Sequence, residues 1–272
     1  MNPPSNSSPA VPVLRRSPEP ADSVVWEPSE RWVRGRKGEV TVVDSRRPIL
    51  VWEPGRPVPL YAFPHDDVRT DLLRKAERPA TRRHAGATLF YDLEVDGETI
   101  HSAAWTYPGE ELAGHISFEW FGRDVLDHWY EEEEEIFVHP RDPHKRVDAV
   151  PSTRHVQVRI DGSLVADTHR PILLFETHLP VRYYIPREDV RLDLLTPADH
   201  ETRCPYKGVA TEYWSWEGND PLTNIVWSYP DPLPAVSNIK NLVAFYNEAV
   251  DLIVDGEHLE RPVTEFIKPP KQ

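Results

Sequence analysis

Apolar and polar residues alternate over short stretches of this chain, and turn-forming residues separate the stretches, which is the pattern of β-strands. Residues 156–160 alternate in this way (Val-Gln-Val-Arg-Ile), and Asp161-Gly162 follows them. An Asp-Gly pair between two such stretches favours a two-residue type I′ turn, because both of its central residues need a positive φ. The pattern therefore predicts a hairpin over residues 156–168.

Continuous apolar segments predict buried strands at two places in each half of the chain. Residues 49–52 are followed by a second such segment at 58–63, and residues 172–175 by one at 181–185. The chain has 29 prolines and only 12 glycines. Because proline neither donates to a strand ladder nor continues a helix, this balance favours short strands and fixed turns. We therefore expect a mainly-β fold of short antiparallel strands.

Two stretches show the three- and four-residue spacing of an amphipathic helix instead. The stretch in the second half has Ser237 or Asn238 as a candidate cap, and Asp255-Gly256 fits its end. The apolar positions are Ile239, Leu242, Val243, Tyr246, Val250 and Ile253 in the second half, and Phe118, Phe121, Val125 and Trp129 in the first. The spacing predicts one C-terminal helix in each half.

The predicted elements occur twice because the sequence itself is repeated. Three blocks recur in the same order: residues 43–53 as 166–176, residues 64–73 as 186–195, and residues 105–108 as 227–230. The first block is offset by 123 positions (166 − 43) with 6 of 11 residues identical, and the second by 122 (186 − 64) with 7 of 10 identical. This period is too long for a solenoid unit and fits a whole small domain.

The repeat divides the chain into three predicted parts. Residues 1–25 are rich in Pro and Ser and lack periodicity, so we expect a disordered leader. Residues 26–151 form the first copy of the domain, and residues 152–272 form the second. Features that both copies keep are candidates for fold, and features that one copy alone keeps are candidates for function.

Charge and cysteine usage narrow the classes of function. The net charge is −14, from 31 basic and 45 acidic residues, which argues against binding to nucleic acid or anionic membranes. No apolar run approaches the roughly 18 residues of a membrane span, and the N-terminus has no signal-peptide core. Cys204 is the only cysteine, so the chain forms no internal disulfide. These features predict a cytoplasmic protein.

Several strings, taken together and in order, resemble one known family. They are Asp167-Thr168-His169-Arg170-Pro171, residues 183–190, Cys204-Pro205-Tyr206-Lys207-Gly208, Trp227-Ser228-Tyr229-Pro230 and His139-Pro140-Arg141-Asp142-Pro143. Over roughly residues 30–255 the chain resembles the DUF427 family in its tandem two-domain form. The resemblance implies a β-tent-like fold, in which two antiparallel sheets pack at an angle, but it implies no activity.

Two properties attached to such proteins find no support in this sequence. The family has carried a nucleotidyltransferase-like label, yet the chain has neither a Gly-rich phosphate loop nor a Gly-Ser pair followed by paired aspartates. Zinc-bearing β-tent proteins bind the metal through cysteine pairs, and a single cysteine cannot form that site.

The copies differ most clearly around Cys204. Residues 202–208 correspond to residues 80–86 at an offset of 122. The two segments share only their last residue, a glycine, and the first copy has neither the cysteine nor the lysine. Lys207 would lower the pKa of the Cys204 thiol and make it a nucleophile. Glu176 would act as a general acid/base if an apolar pocket raised its pKa. The alternatives are that Cys204 is a small buried residue, that Lys207 is a surface charge, and that Glu176 belongs to a structural ion pair.

Aromatic residues supply the other candidate site. Adjacent aromatics in a strand, such as Tyr183 and Tyr184, point to opposite faces, so one of each pair is expected to face solvent or a cleft. A cleft of this kind suits a small planar or cationic ligand. The candidate ligand-binding residues are Tyr184, Tyr206, Tyr213, Trp214, Trp227, Tyr229 and Arg170. Plain core packing is the alternative for the whole set.

The sequence thus leaves three hypotheses for function. The first is small-molecule binding in the aromatic cleft of the second copy. The second is an enzyme that acts on a small metabolite through Cys204 and Lys207, helped by Glu176, and the third is an interaction scaffold. No metal site is predicted, because the linker residues His139, Asp142, His144 and Asp148 match no standard spacing. The cofactor and the oligomeric state are left open.

Overall fold

The structure, a computed structural model, describes residues 24–77, 84, 87, 89–120 and 125–264. The chain forms two compact units that divide between His144 and Lys145. The predicted leader lies outside the described residues, apart from residues 24 and 25. No helix in the described part of the chain is long and apolar enough to cross a membrane.

The described residues of the first unit form two antiparallel sheets. The strands are β1 Val25–Pro28, β2 Val33–Lys37, β3 Val40–Ser45, β4 Ile49–Trp52, β5 Leu60–Pro64, β6 Leu73–Lys75, β7 Leu89–Val95, β8 Glu98–Thr106, β9 His115–Phe118, β10 His128–Glu131 and β11 Glu134–Ile136. The larger sheet has the order β1-β4-β5-β9-β8-β7-β6, and the smaller has the order β11-β10-β2-β3. Single 3-10 turns occupy His65–Asp67 and Thr70–Leu72.

The second unit repeats this plan in shorter pieces. Its strands are β12 Val147–Pro151, β13 Val156–Ile160, β14 Ser163–Thr168, β15 Ile172–Glu176, β16 Arg182–Tyr184, β17 Thr196–Ala198, β18 Thr202–Cys204, β19 Gly208–Ala210, β20 Glu212–Trp216, β21 Leu222–Ser228, β22 Asp231–Pro232, β23 Val243–Phe245, β24 Asp251–Val254 and β25 Glu257–His258. The sheets are β12-β15-β16, β14-β13-β24-β25, β17-β20-β21-β23 and β18-β19-β22. The 3-10 segments are Arg187–Asp189, Leu192–Leu194 and Pro234–Ile239.

The main sheet of the second unit is covered on both faces. A bridge between Ile185 and Val243 links β16 to β23, so the order β12-β15-β16-β23-β21-β20-β17 matches the large sheet of the first unit. Tyr183 packs into one hydrophobic cluster and Tyr184 into another. The two rings therefore point to opposite faces, as predicted. The expectation that one of them faces solvent is wrong, because both are buried.

The mainly-β prediction is confirmed, and the predicted hairpin is present as β13 and β14. Its turn residues Asp161 and Gly162 have φ values of 48° and 77°, as a type I′ turn requires. Asp96 and Gly97 close the β7–β8 hairpin in the same way, with φ values of 51° and 81°. Local turn chemistry therefore determines where these hairpins form.

The two predicted helices are wrong. In the second unit residues 243–245 and 251–254 of that stretch lie in β23 and β24. In the first unit residues 118 and 129 lie in β9 and β10, with 121–124 outside the described residues. Val243 exchanges backbone hydrogen bonds of 2.8 Å with Ile185, which lies far away in sequence. Positive φ values at Asn241 and Asp255 interrupt any helix. Non-local strand pairing thus overrides the helical spacing.

A β-bulge lies at the same place in both copies. The register shifts by one residue between Gly35 and Arg36 on β2, and between Val158 and Arg159 on β13. A bulge adds one residue to one strand, so the side chains beyond it change their partners and the local twist increases. The two hairpins therefore share this irregularity as well as their strands.

Packing beside the bulge is complementary between the copies. In the first unit Gly35 opposes Trp129, whereas in the second Val158 opposes Leu252. A Cβ at Gly35 would lie 2.7 Å from Cζ3 of Trp129, which is closer than real Cβ contacts occur. Trp129 is also held by Trp120, whose ring stacks on it at 4.2 Å. The first copy therefore places a glycine against a tryptophan at this crossing, and the second copy places two residues of intermediate size there.

We expect Gly35→Ala to lower the free energy of unfolding of the first unit by about 1–3 kcal/mol, the usual cost of overpacking a core. Urea unfolding followed by tryptophan fluorescence measures the change. Gly114→Ala is the matched control, because no atom lies within 4 Å of a Cβ built there. Equal destabilisation by the two substitutions would contradict the packing argument.

Candidate functional site

A tight turn between β18 and β19 presents the Cys204-Pro205-Tyr206-Lys207 sequence. The backbone N–H of Lys207 donates to the carbonyl oxygen of Cys204 at 3.3 Å, which closes the turn. Gly208 follows with a φ of 97°, and a Cβ there would lie 3.5 Å from the carbonyl oxygen of Asp231. Glycine is needed at this position, as the comparison of the copies predicts. The turn holds Lys207 and Cys204 close together.

Lys207 forms an ion pair with Glu176, at the end of the buried strand β15. Its Nζ lies 2.5 Å from Oε2 of Glu176, and the Nζ of Lys145 lies 3.8 Å from Oε1 of the same carboxylate. The exposed fractions of the side chains are 12% for Lys207, 6% for Glu176 and 18% for Lys145. Two ammonium groups therefore share one carboxylate, and all three lie largely out of water.

The charge state of this pair follows from its surroundings. Burial alone would raise the pKa of Glu176, but the charge and hydrogen bond of Lys207 outweigh burial and lower that pKa below its ordinary value. Burial opposes the charge of Lys207, yet Cys204 and Glu176 raise the pKa of Lys207 well above its ordinary value. The general acid/base hypothesis for Glu176 supposed a raised pKa, whereas the surroundings of Glu176 lower it.

Two phenols interact electrostatically with the ion pair. Burial raises the pKa of Tyr184 to about 12, and burial also raises the pKa of Tyr229 well above its ordinary value. The indole N–H of Trp227 donates to the hydroxyl of Tyr184 at 3.3 Å. Both tyrosines are within electrostatic range of Lys207 and Cys204. At neutral pH these hydroxyls are protonated, so each can donate a hydrogen bond.

The structure brings most of the candidate residues together. Glu176, Lys207, Cys204, Tyr184 and Tyr229 interact with one another electrostatically. Further members of the candidate set are Tyr213 and Trp227, in the same hydrophobic cluster as Tyr184, and Tyr206, whose ring lies 5.7 Å from the Nζ of Lys145. We call these eight residues the Lys207 cluster: Glu176, Lys207, Cys204, Tyr184, Tyr229, Tyr213, Trp227 and Tyr206.

Two candidates lie elsewhere in the second unit. Trp214 packs into the other hydrophobic cluster, and its ring lies 5.4 Å from the guanidinium carbon of Arg187. Arg170 is exposed and pairs with Asp189 at 3.1 Å and with Glu188 at 2.8 Å. None of these partners belongs to the Lys207 cluster. Arg170 instead ties the end of β14 to a 3-10 turn, which is a structural role.

The Lys207 cluster has a buried floor and a more accessible rim. Tyr184, Tyr213, Trp227 and Tyr229 are each less than 7% exposed and pack as core rather than as the walls of an open cleft. Cys204, Tyr206 and Lys207 are partly exposed. The partly exposed members of the cluster therefore all lie in the β18–β19 turn.

The first unit keeps the buried glutamate but surrounds it differently. Glu53 accepts a hydrogen bond of 2.7 Å from the hydroxyl of Tyr107, lies 3.3 Å from Nδ1 of His84, and pairs with Arg56. Burial opposes the charge of Glu53, but the hydrogen bonds from His84 and Tyr107 lower its pKa. The sequence repeat shows that Glu53 corresponds to Glu176, but the sequence does not show which residues contact either glutamate.

A second buried ion pair escaped the sequence analysis. Arg182 and Glu248 form a two-pronged contact, with N–O distances of 2.6 and 2.7 Å. The guanidinium carbon of Arg182 lies 5.8 Å from the ring of Trp227 and 5.3 Å from that of Tyr246, so the pair adjoins the Lys207 cluster. The partners are 66 residues apart, and no local pattern connects them.

These features define a class of protein: two copies of one mainly-β domain in tandem, each with a buried glutamate at the end of the second strand of its large sheet. The model of the domain of unknown function DUF427 matches residues 25–132 and again residues 148–256. The chain therefore belongs to the DUF427 family. A search of curated proteins found no match.

We expect Lys207→Met to lower the free energy of unfolding of the second unit by about 3–5 kcal/mol at pH 7, because it leaves the buried Glu176 carboxylate without its close partner. Urea unfolding at pH 7 and at pH 4 measures the effect. The wild-type pair contributes stability above the ordinary pKa of glutamate and loses it as the pH falls through the lowered pKa. In the variant the pKa of Glu176 rises, so the loss should be smaller at pH 4.

Lys240→Met is the matched control for this substitution. Lys240 pairs with Asp231 at 3.2 Å, but the two side chains are 56% and 94% exposed. Exposed pairs of this kind contribute little, so the control should change stability by less than about 1 kcal/mol. A loss for Lys207→Met that does not depend on pH would count against the ionic account of the pair.

Proposed function

We propose that the second unit binds a small planar molecule with an anionic group at the rim of the Lys207 cluster. The observation that carries the proposal is the imbalance of charge: Lys145 and Lys207 together face the single carboxylate of Glu176. One positive charge is thus left over in a poorly hydrated place, where an anion is attracted more strongly than in water. This proposal keeps the small-molecule hypothesis from the sequence, but it replaces the expected planar or cationic ligand with a planar anionic one.

The aromatic residues support a planar ligand. Tyr206 is partly exposed at the rim, and its ring already lies 5.7 Å from the ammonium of Lys145. A flat ring can pack on Tyr206 while its anionic group approaches the ammonium groups, which is the usual combination of an apolar surface and a few placed polar groups. The protonated hydroxyls of Tyr184 and Tyr229 add hydrogen-bond donors on the buried side.

Benzoate is a suitable probe, because it joins a flat ring to one carboxylate. We expect benzoate to raise the thermal unfolding temperature of the second unit and to perturb amide signals of residues 204–208 in NMR spectra. Lys145→Ala and Tyr206→Ala should each weaken both effects. Benzylammonium, which carries the same ring and the opposite charge, should produce neither effect.

The control variant is Lys240→Ala, because Lys240 is an exposed lysine that pairs with Asp231. It should bind benzoate like the wild type. If benzylammonium binds equally well, or if Lys145→Ala and Tyr206→Ala change nothing, the proposed site is wrong. The scaffold hypothesis then becomes the better one.

Cys204 favours a second candidate function, an enzyme that forms a covalent intermediate. Cys204 is partly exposed, and the charge of Lys207 interacts with it. A sulfur in that position can attack an electrophilic carbon and displace a leaving group. This candidate requires the sulfur to be reactive in the folded protein.

Alkylation by iodoacetamide, in which the sulfur bonds to carbon and iodide leaves, tests the enzyme hypothesis. If Lys207 activates Cys204, Lys207→Gln should slow the reaction of the folded chain, whereas Lys240→Gln should not. Mass spectrometry of the Cys204 peptide follows the rate. Equal rates in all three proteins would remove Cys204 as a nucleophile and leave binding as the function.

A further inference from the structure

Two histidines and an aspartate meet at the open end of the β13–β14 hairpin, in a different sheet from the Lys207 turn. His155 directly precedes β13, Asp167 lies in β14, and His169 directly follows β14. One nitrogen from each histidine and one carboxylate oxygen all lie within 4.8 Å of one another. In the sequence Asp167 and His169 stand together in one family motif, but no pattern connects them with His155.

The strand register explains why the three side chains share one face. Val156 opposes Thr168 and both are buried, whereas Gln157 opposes Asp167 on the outer face. Since side chains alternate between faces, the next outward residues are His155 and His169, which continue the same register. The face that carries them is therefore the one turned away from the core.

The three side chains already contact one another. Nε2 of His155 lies 2.7 Å from Oδ1 of Asp167, and Gln157 donates from Nε2 to the other carboxylate oxygen at 2.8 Å. The rings of His155 and His169 stack, with their centres 4.1 Å apart and their planes inclined by 16°. Gln157 thus fixes the carboxylate from behind, as the outer partners of metal ligands commonly do.

The first copy shows that the hairpin does not need these residues for its structure. At an offset of 123 the corresponding residues are Trp32, Asp44 and Arg46. The indole N–H of Trp32 donates to Oδ1 of Asp44 at 2.7 Å, and the guanidinium carbon of Arg46 lies 4.4 Å from the Trp32 ring. The arrangement of ring, carboxylate and stacked group is the same, but neither indole nor guanidinium is a usual metal ligand.

We propose that His155, Asp167 and His169 bind a divalent transition-metal ion such as Zn²⁺ in the second copy alone. Two imidazole nitrogens and one carboxylate oxygen form a ligand set that suits zinc and its neighbours, with water in the remaining positions. The ion would take the place of the hydrogen bond between His155 and Asp167.

Calorimetric titration of the full-length, tag-free chain with ZnCl₂, after treatment with a chelator, tests the proposal. We expect one high-affinity ion per chain. Asp167→Asn and His169→Ala should each weaken binding by about tenfold or more, and Gln157→Ala by about tenfold. His101→Ala is the control, because His101 is an exposed histidine that pairs with Asp92 at 2.9 Å in the first unit.

A double substitution separates loss of ligands from loss of fold. His155→Trp combined with His169→Arg installs the residues that the first copy carries at these positions. This variant should retain the wild-type circular dichroism spectrum and lose zinc binding. As a second readout, Co²⁺ should give visible absorption with the wild type and with His101→Ala, and much weaker absorption with the double variant.

Three results would overturn the proposal. The first is that the wild-type chain takes up no zinc. The second is that the double variant binds zinc as the wild type does, which would place the ion elsewhere. The third is that Mg²⁺, which prefers oxygen ligands, displaces zinc at equal concentration, since that would exclude coordination by the histidines.

Discussion

A buried carboxylate at the end of the second strand of the large sheet is the constraint on which both copies depend. Moving a single charge out of water costs several kcal/mol, so Glu53 and Glu176 need a cation within hydrogen-bonding distance. The first copy meets the need with Arg56 and His84, and the second with Lys207. The glutamate is thus common to the fold, whereas its partner is free to differ. Divergence of function can begin at the partner.

The sheet that carries this glutamate is packed on both of its faces, and that explains the many aromatic residues. Tyr183 and Tyr184 are neighbours in sequence and still lie in two different hydrophobic clusters. Short strands covered on both sides need large side chains at successive positions. In the Lys207 cluster, polar and charged groups lie within the hydrophobic cluster that contains Tyr184. The β18–β19 turn exposes some of these polar groups to solvent.

Local signals in the sequence predict the strands and hairpins, because the chemistry of a turn such as Asp161-Gly162 acts over a few residues. Non-local pairing explains the failures: Val243 pairs with Ile185, and no spacing within residues 239–253 reveals it. The proximity of His155, Asp167 and His169 was not predicted, for a related reason. The sequence does not reveal the bulge at Val158. Counting outward from the turn without this bulge pairs His155 with Thr168, whereas the bulge brings His155 opposite His169. The Lys207 cluster was predictable because the second copy could be compared with the first.

The complementary packing beside the bulge has a consequence for how a tandem repeat folds. Chains with two similar domains risk exchanging equivalent strands between them, which traps misfolded states. A β13 strand placed in the first unit would drive Val158 into Trp129, and β2 in the second unit would leave a void between Gly35 and Leu252. Each exchange is penalised, one by collision and the other by an empty space. The two copies are similar enough to share a fold and different enough at one crossing to reject each other's strands.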